Sequence, residues 1–111
     1  MDAAKRHFTS LGFVVEPKGR PYDLRCTRKK ELLYVEVKGT QTNGKSIILT
    51  AGEVAFARDH KGQMALLLLH SISVSEDRKL SNGETYPVMP WDVDKGCLKP
   101  MSYKYEVPIR R

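Results

Sequence analysis

The run Met64-Ala65-Leu66-Leu67-Leu68-Leu69 constrains this chain more than any other feature. It is far shorter than the roughly 20 apolar residues that a helix needs to cross a bilayer. Bounded so closely, it reads as a strand. Both alternating sets of positions are apolar, so the strand needs cover on both faces. It is expected to continue through His70-Ser71-Ile72, with Val74 following in the same strand or after a bend. A central strand of this kind predicts a sheet with layers on both sides, which is an α/β or mixed-sheet domain with one small core.

The 111 residues suffice for one such domain. A hydrophobic fraction of 41% and a charged fraction of 29% exclude wholesale disorder. The opening Met1-Asp2-Ala3-Ala4-Lys5 offers no apolar stretch for a signal peptide, and no membrane association is expected. The formal net charge is +6. Residues 1–61 hold +5 of it, and residues 62–111 only +1. A basic front half fits a polyanionic partner, and it fits an ordinary solubilising surface as well. Cys26 and Cys97 have neither metal-ligand spacing nor the look of a secreted disulfide framework. A reduced, cytoplasmic setting fits better.

Around the central run, local signals place the other elements. Asp2 to Leu11 reads as a helix with Asp2 as N-cap and Gly12 as its stop. Phe13-Val14-Val15 is extended, and Pro17 to Pro21 is a turn. Tyr22 to Cys26 alternates. Thr27 to Glu31 connects it to a longer strand, Leu32 to Lys38, with Leu33, Val35 and Val37 on one face and Tyr34, Glu36 and Lys38 on the other. Gly39 to Lys45 reads as a loop and Ile47-Ile48-Leu49 as a third strand. Thr50-Ala51-Gly52-Glu53 has capping-box form. The helix it starts is expected to align Ala51, Val54, Ala55 and Arg58 on one side, Phe56 widening the stripe, and to stop at Gly62. Glu76 to Tyr86 reads as a turn or long loop, Pro87 to Pro90 as extended, and Met101 to Ile109 as an edge strand.

The chemistry concentrates on the hairpin. Period two puts Glu36 and Lys38 on one face of their strand. Asp23 lies on the preceding strand, so pairing brings an acid from each strand together. Two carboxylates suit a hard divalent cation such as Mg²⁺, which takes oxygen ligands and retains waters. A lysine beside them can position water and stabilise charge developing on phosphate. A free lysine has a pKa of about 10.4, so positioning and electrostatics come before proton abstraction.

Pro21-Tyr22-Asp23 followed by Glu36-Val37-Lys38 resembles the PD-(D/E)xK nuclease superfamily, with the proline two residues before the acid rather than adjacent to it. The wider run resembles the NO VEIN-type C-terminal domain more closely. It comprises Gly19-Arg20-Pro21-Tyr22-Asp23-Leu24, Tyr34-Val35-Glu36-Val37-Lys38-Gly39-Thr40, and Leu49-Thr50 with Glu53 and Ala57. Mrr-like restriction enzymes and archaeal junction resolvases have similar cores. The resemblance implies a restriction-endonuclease-like fold, a central mixed sheet flanked by helices. It covers a recognisable core at about residues 5–72 of a single domain spanning 1–111, with a C-terminal extension at 75–111. It implies Asp23 and Glu36 as ligands of Mg²⁺ or Mn²⁺, Lys38 as the superfamily lysine, and Glu53 as a helix acid near metal, water or substrate. Glu53 is also fully explained as the capping residue. Glu16 is a weaker candidate for an additional early acid.

The activity implied is metal-dependent endonucleolytic hydrolysis of DNA. The rival is a catalytically weak nucleic-acid-binding or targeting module of the same fold in a restriction or defence system. A protein–protein interaction domain is the third class. Candidate phosphate contacts are Arg20, Arg25, Arg28, Lys29, Lys30 and Lys45; such contacts hold nucleic acid without specifying sequence. The partners implied are DNA, a second copy for double-strand cutting, and a larger restriction, helicase or defence protein. Trp91 reads as a core anchor, and Cys26 as packed.

Overall fold

The computed structural model describes residues 2–39, 46–70 and 84–108. The side chains of His70 and Glu84 fall outside that description. Helix α1 (Asp2–Ser10) precedes strands β1 (Val14–Pro17), β2 (Leu24–Arg28) and β3 (Glu31–Gly39). Helix α2 (Ala51–Asp59), strands β4 (Met64–His70) and β5 (Glu84–Val88) and a 3-10 turn at Val93–Lys95 follow. The five strands form one mixed sheet in the order β1-β2-β3-β4-β5. Only β3 and β4 run parallel, and α2 makes the crossover that a parallel pair requires. The fold is α/β, as expected. No helix among the described residues is long and apolar enough to cross a membrane.

β4 is the buried centre that its composition demands. Ala65 and Leu67 join Ala4 and Phe8 of α1 in one core, with Phe13, Leu24, Cys26 and Val35. Met64, Leu66 and Leu68 point the other way, toward Ala57 of α2 and toward Trp91 and Val93. Trp91 is thus a core anchor, and Cys26 is packed and free of any disulfide. Its burial pushes the thiol up to about 11.

The β2–β3 hairpin turns through Lys29-Lys30, with Lys29 at φ +52. That left-handed conformation suits the tight hairpin turns that match strand twist. α1 ends at Ser10, and Gly12 turns the chain at φ +91.

Several expectations fail for non-local reasons. Ile47-Ile48-Leu49 is not a strand: β2 and β4 already occupy both edges of β3, so no ladder position is open beside it. Ile47 and Leu49 lean on the second core instead. Glu84 to Tyr86 belong to β5 rather than to a loop, because β4 offers them an edge. Residues 101–108 form no strand and are exposed. α2 and the second core cover the face carrying Tyr34, Glu36 and Lys38. On α2 and its C-cap the buried or half-buried residues are Glu53, Val54, Phe56, Ala57 and His60, so of the expected stripe Val54 and Phe56 are covered while Ala51, Ala55 and Arg58 are exposed. The expected continuation of β4 through Ser71-Ile72, the Val74 bend and residues 76–83 of the expected loop lie outside the described residues.

Candidate functional site

Asp23 sits one residue before β2. Its N–H donates to Val35 O at 3.0 Å and its carbonyl accepts from Lys18 N at 2.8 Å. Leu24 pairs with Val35, so Asp23 stands opposite Glu36 where the ladder ends. Its Oδ2 accepts from Val37 N at 2.8 Å, which ties the acid to the strand bearing the other candidates.

Glu36 and Lys38 share one face of β3, as period two requires. The Thr50 capping box brings Glu53 to them. Thr50 Oγ1 accepts from Glu53 N at 3.1 Å, and Glu53 Oε1 accepts from Thr50 N at 2.8 Å. The same Glu53 carboxylate receives Lys38 Nζ at 2.9 and 3.0 Å. One residue therefore caps the helix and holds the lysine, and the two sequence readings of Glu53 meet in a single side chain. Lys38 Nζ lies 3.6 Å from Glu36 Oε1.

Glu36 is the one buried charged residue among those described, at 3% exposure. Burial, then hydrogen bonding with Glu53 and the nearby Asp23 charge, pushes its carboxyl up to about 9. Burial alone would raise Glu53 too. Its bonds with Glu36, the Thr50 N–H and Lys38 outweigh that and draw it down to about 2. Burial pushes the Lys38 ammonium down, but Glu53 and Glu36 outweigh it, and the net shift is upward. Lys38 is therefore a cation and hydrogen-bond donor, not a ready base.

These acids face an open cleft of about 460 Å³ between the Gly19–Asp23 loop and the first turn of α2, with Glu36 and Glu53 in its lining. Lys38 does not line it; its ammonium contacts the two glutamates that do. Among the described residues no three His, Cys, Asp or Glu side chains form a preassembled metal cage. The donor set is of a different kind. Three carboxyl groups answer to one ammonium, and hydrogen bonding with Glu53 and Asp23 contributes to the upward shift at Glu36. Mg²⁺ binds through one or two carboxylates and keeps its waters, and the open cleft presents Asp23 and Glu36 as oxygen donors.

The basic candidates separate. Arg20 lines the cleft. Arg25 is exposed on β2, 3.9 Å from Glu16. Arg28 is built into the fold: Nη1 donates to Leu11 O at 2.6 Å, Nη2 pairs with Glu31, and the guanidinium lies 4.3 Å from the centre of the Phe13 ring. Lys29 and Lys30 are exposed at the hairpin turn. Lys45 lies outside the described residues. Glu16 is exposed on β1 opposite Arg25, and its bond with Lys18 lowers its pKa.

The sequence reading missed an aromatic group beside the acids. Tyr22 of the cleft wall packs on Tyr34 at 4.7 Å and on Phe56 at 5.1 Å, and Phe56 stacks on His60 at 3.9 Å. Period two on β3 places Tyr34 beside Glu36, and helical spacing relates Phe56 to His60. Those were the available signals.

The family model described as "Protein NO VEIN, C-terminal" matches residues 1–81, and the chain belongs to that family. The match spans α1 through β4 and thus every acid of the cleft. No curated protein and no solved structure matches the chain.

Proposed function

We propose that this member of the NO VEIN C-terminal family is a divalent-cation-dependent endonuclease of PD-(D/E)xK type with a restriction-endonuclease-like fold, acting on DNA. The observation that carries the reading is the convergence of Asp23, Glu36 and Glu53 on one open cleft, with Lys38 bound to the two glutamates. The order of two antiparallel strands, a crossover helix and a parallel strand supports the fold assignment.

Asp23 and Glu36 are the residues to hold Mg²⁺ or Mn²⁺. When bound, such a cation supplies Lewis-acid stabilisation of charge on phosphate and acidifies water. The chain's own residues do the rest. Val37 N–H fixes one oxygen of Asp23 and so sets the orientation of that carboxylate. Lys38 Nζ keeps its proton and acts by donation and positive charge, held in place by Glu53. Arg20 at the cleft wall is positioned for a backbone phosphate. Lys29 and Lys30 add a second basic point on the same hairpin.

The test is a cleavage assay with Mg²⁺ or Mn²⁺ on supercoiled, linear, branched and modified DNA, with EDTA as the blank. Metal-dependent cutting is expected. Asp23→Ala should reduce it by about 10³-fold, and Lys38→Ala by about 10² or more, as losses of transition-state stabilisation of this kind do. Salt-sensitive binding by the wild-type protein without cutting would replace this reading with that of a targeting module. Neither binding nor cutting would leave an interaction domain.

A further inference from the structure

Residues 101–107 combine two properties that rarely coexist in a finished structure. The sequence alternates strictly: Met101, Tyr103, Tyr105 and Val107 occupy one set of positions, and Ser102, Lys104 and Glu106 the other. This is the pattern of a half-buried strand. Yet the apolar set is 75%, 85%, 77% and 66% exposed, and the segment joins no ladder among the described residues. Lys104 and Glu106 already lie on one side of the segment, with Lys104 Nζ 3.7 Å from Glu106 Oε1 and both side chains more than four-fifths exposed.

We propose that this segment pairs antiparallel with the same segment of a second copy of the chain, with Tyr105 on the two-fold axis. The register follows from charge. A two-fold axis at Tyr105 sets Lys104 of each copy opposite Glu106 of the other, giving two opposite-charge cross-strand pairs. A parallel in-register pairing would set lysine against lysine. The same axis places Tyr103 opposite Val107, an aromatic–β-branched pair of the kind that stabilises sheets. It leaves Pro108 opposite Ser102 at the ribbon's end, where a missing N–H is tolerated. Such an interface is isologous and closes at two copies. A short ribbon buries little surface, so the association is weak and reversible. The inference stands independently of the nuclease reading, because none of these residues lies in the cleft.

Sedimentation equilibrium of the full chain across the micromolar range tests it. Concentration-dependent dimerisation is expected. Lys104→Glu and Glu106→Lys should each weaken it by about tenfold, because each sets two like-charge pairs face to face. An equimolar mixture of the two variants should recover wild-type association, since the heterodimer restores both opposite-charge pairs. Tyr105→Cys in a Cys97→Ser background should form an intermolecular disulfide on mild oxidation. Directly opposed residues in an antiparallel ladder stand about 4.5–5.5 Å apart at Cα, within disulfide range. A monomer at every concentration overturns the proposal. So does a dimer indifferent to both charge variants, which would assign the contact to another surface or another register.

Discussion

Strand β3 shows two faces with opposite economies. Leu33, Val35 and Val37 pack into an apolar core shared with α1, Leu24 and Leu67. Tyr34, Glu36 and Lys38 face α2, where an aromatic group borders three carboxyl groups and one ammonium. Burying a large aliphatic side chain stabilises by about 1.5–3 kcal/mol. Burying an acid works against folding unless it is paired or neutral. The first face is accounted for by stability alone. The second holds an arrangement that stability does not require, and it is the second face that opens to the cleft.

The sharpest way to break this contrast is to substitute one residue on each side. Leu67→Ala removes a fully buried side chain from the first face and should cost about 3–4 kcal/mol in urea unfolding. Glu36→Gln keeps volume and a hydrogen-bond donor toward Asp23 and Glu53. It should leave unfolding within about 1 kcal/mol of wild type while abolishing cation-dependent cleavage. If Glu36→Gln unfolds the protein as readily as Leu67→Ala, the acid is a structural keystone and the contrast between the faces collapses.

The sequence was informative where structure is local. The two-sided burial of β4 follows from its composition, and the capping box from the spacing of Thr50 and Glu53. The co-facial Glu36 and Lys38 follow from strand periodicity. What stayed hidden depends on which edges and faces are already taken. Ile47-Ile48-Leu49 has strand composition but no edge to join. α2 is short, with apolar residues scattered around it, so its inward side is chosen by partners: Lys38 draws in Glu53, and Tyr34 draws in Phe56. Met101 to Val107 carries a strand pattern but joins no strand among the described residues.

Arg28 sharpens the comparison at the rim of the first face. It reads in sequence as part of a basic run with Lys29 and Lys30, but it bridges Leu11 O, Glu31 and the Phe13 ring. Arg28→Ala should lower unfolding stability by about 1–2 kcal/mol through lost stacking and hydrogen bonding. Lys29→Ala and Lys30→Ala should stay within about 0.5 kcal/mol, and any effect they have should fall on nucleic-acid affinity and its salt dependence. Equal stability losses at all three positions would mean that the run acts as one structural unit.

The smallest expected effect bears on the second face. Thr50→Ala deletes the hydroxyl that accepts Glu53 N and should cost about 1 kcal/mol, with Thr50→Ser restoring it. The loss should not stay at the helix end. Glu53 is fixed by that cap and in turn holds Lys38 through both carboxylate oxygens, so fraying the first turn loosens the lysine. Amide exchange at Val54, whose N–H bonds Thr50 O at 3.1 Å, should accelerate, and cleavage should fall by more than the stability change explains. On the first face, a stability loss of the same size, such as Leu33→Val, should leave cleavage unaltered. Equal responses to the two substitutions would show that the cleft depends on overall stability alone. Unequal ones would show that the helix cap positions its chemistry.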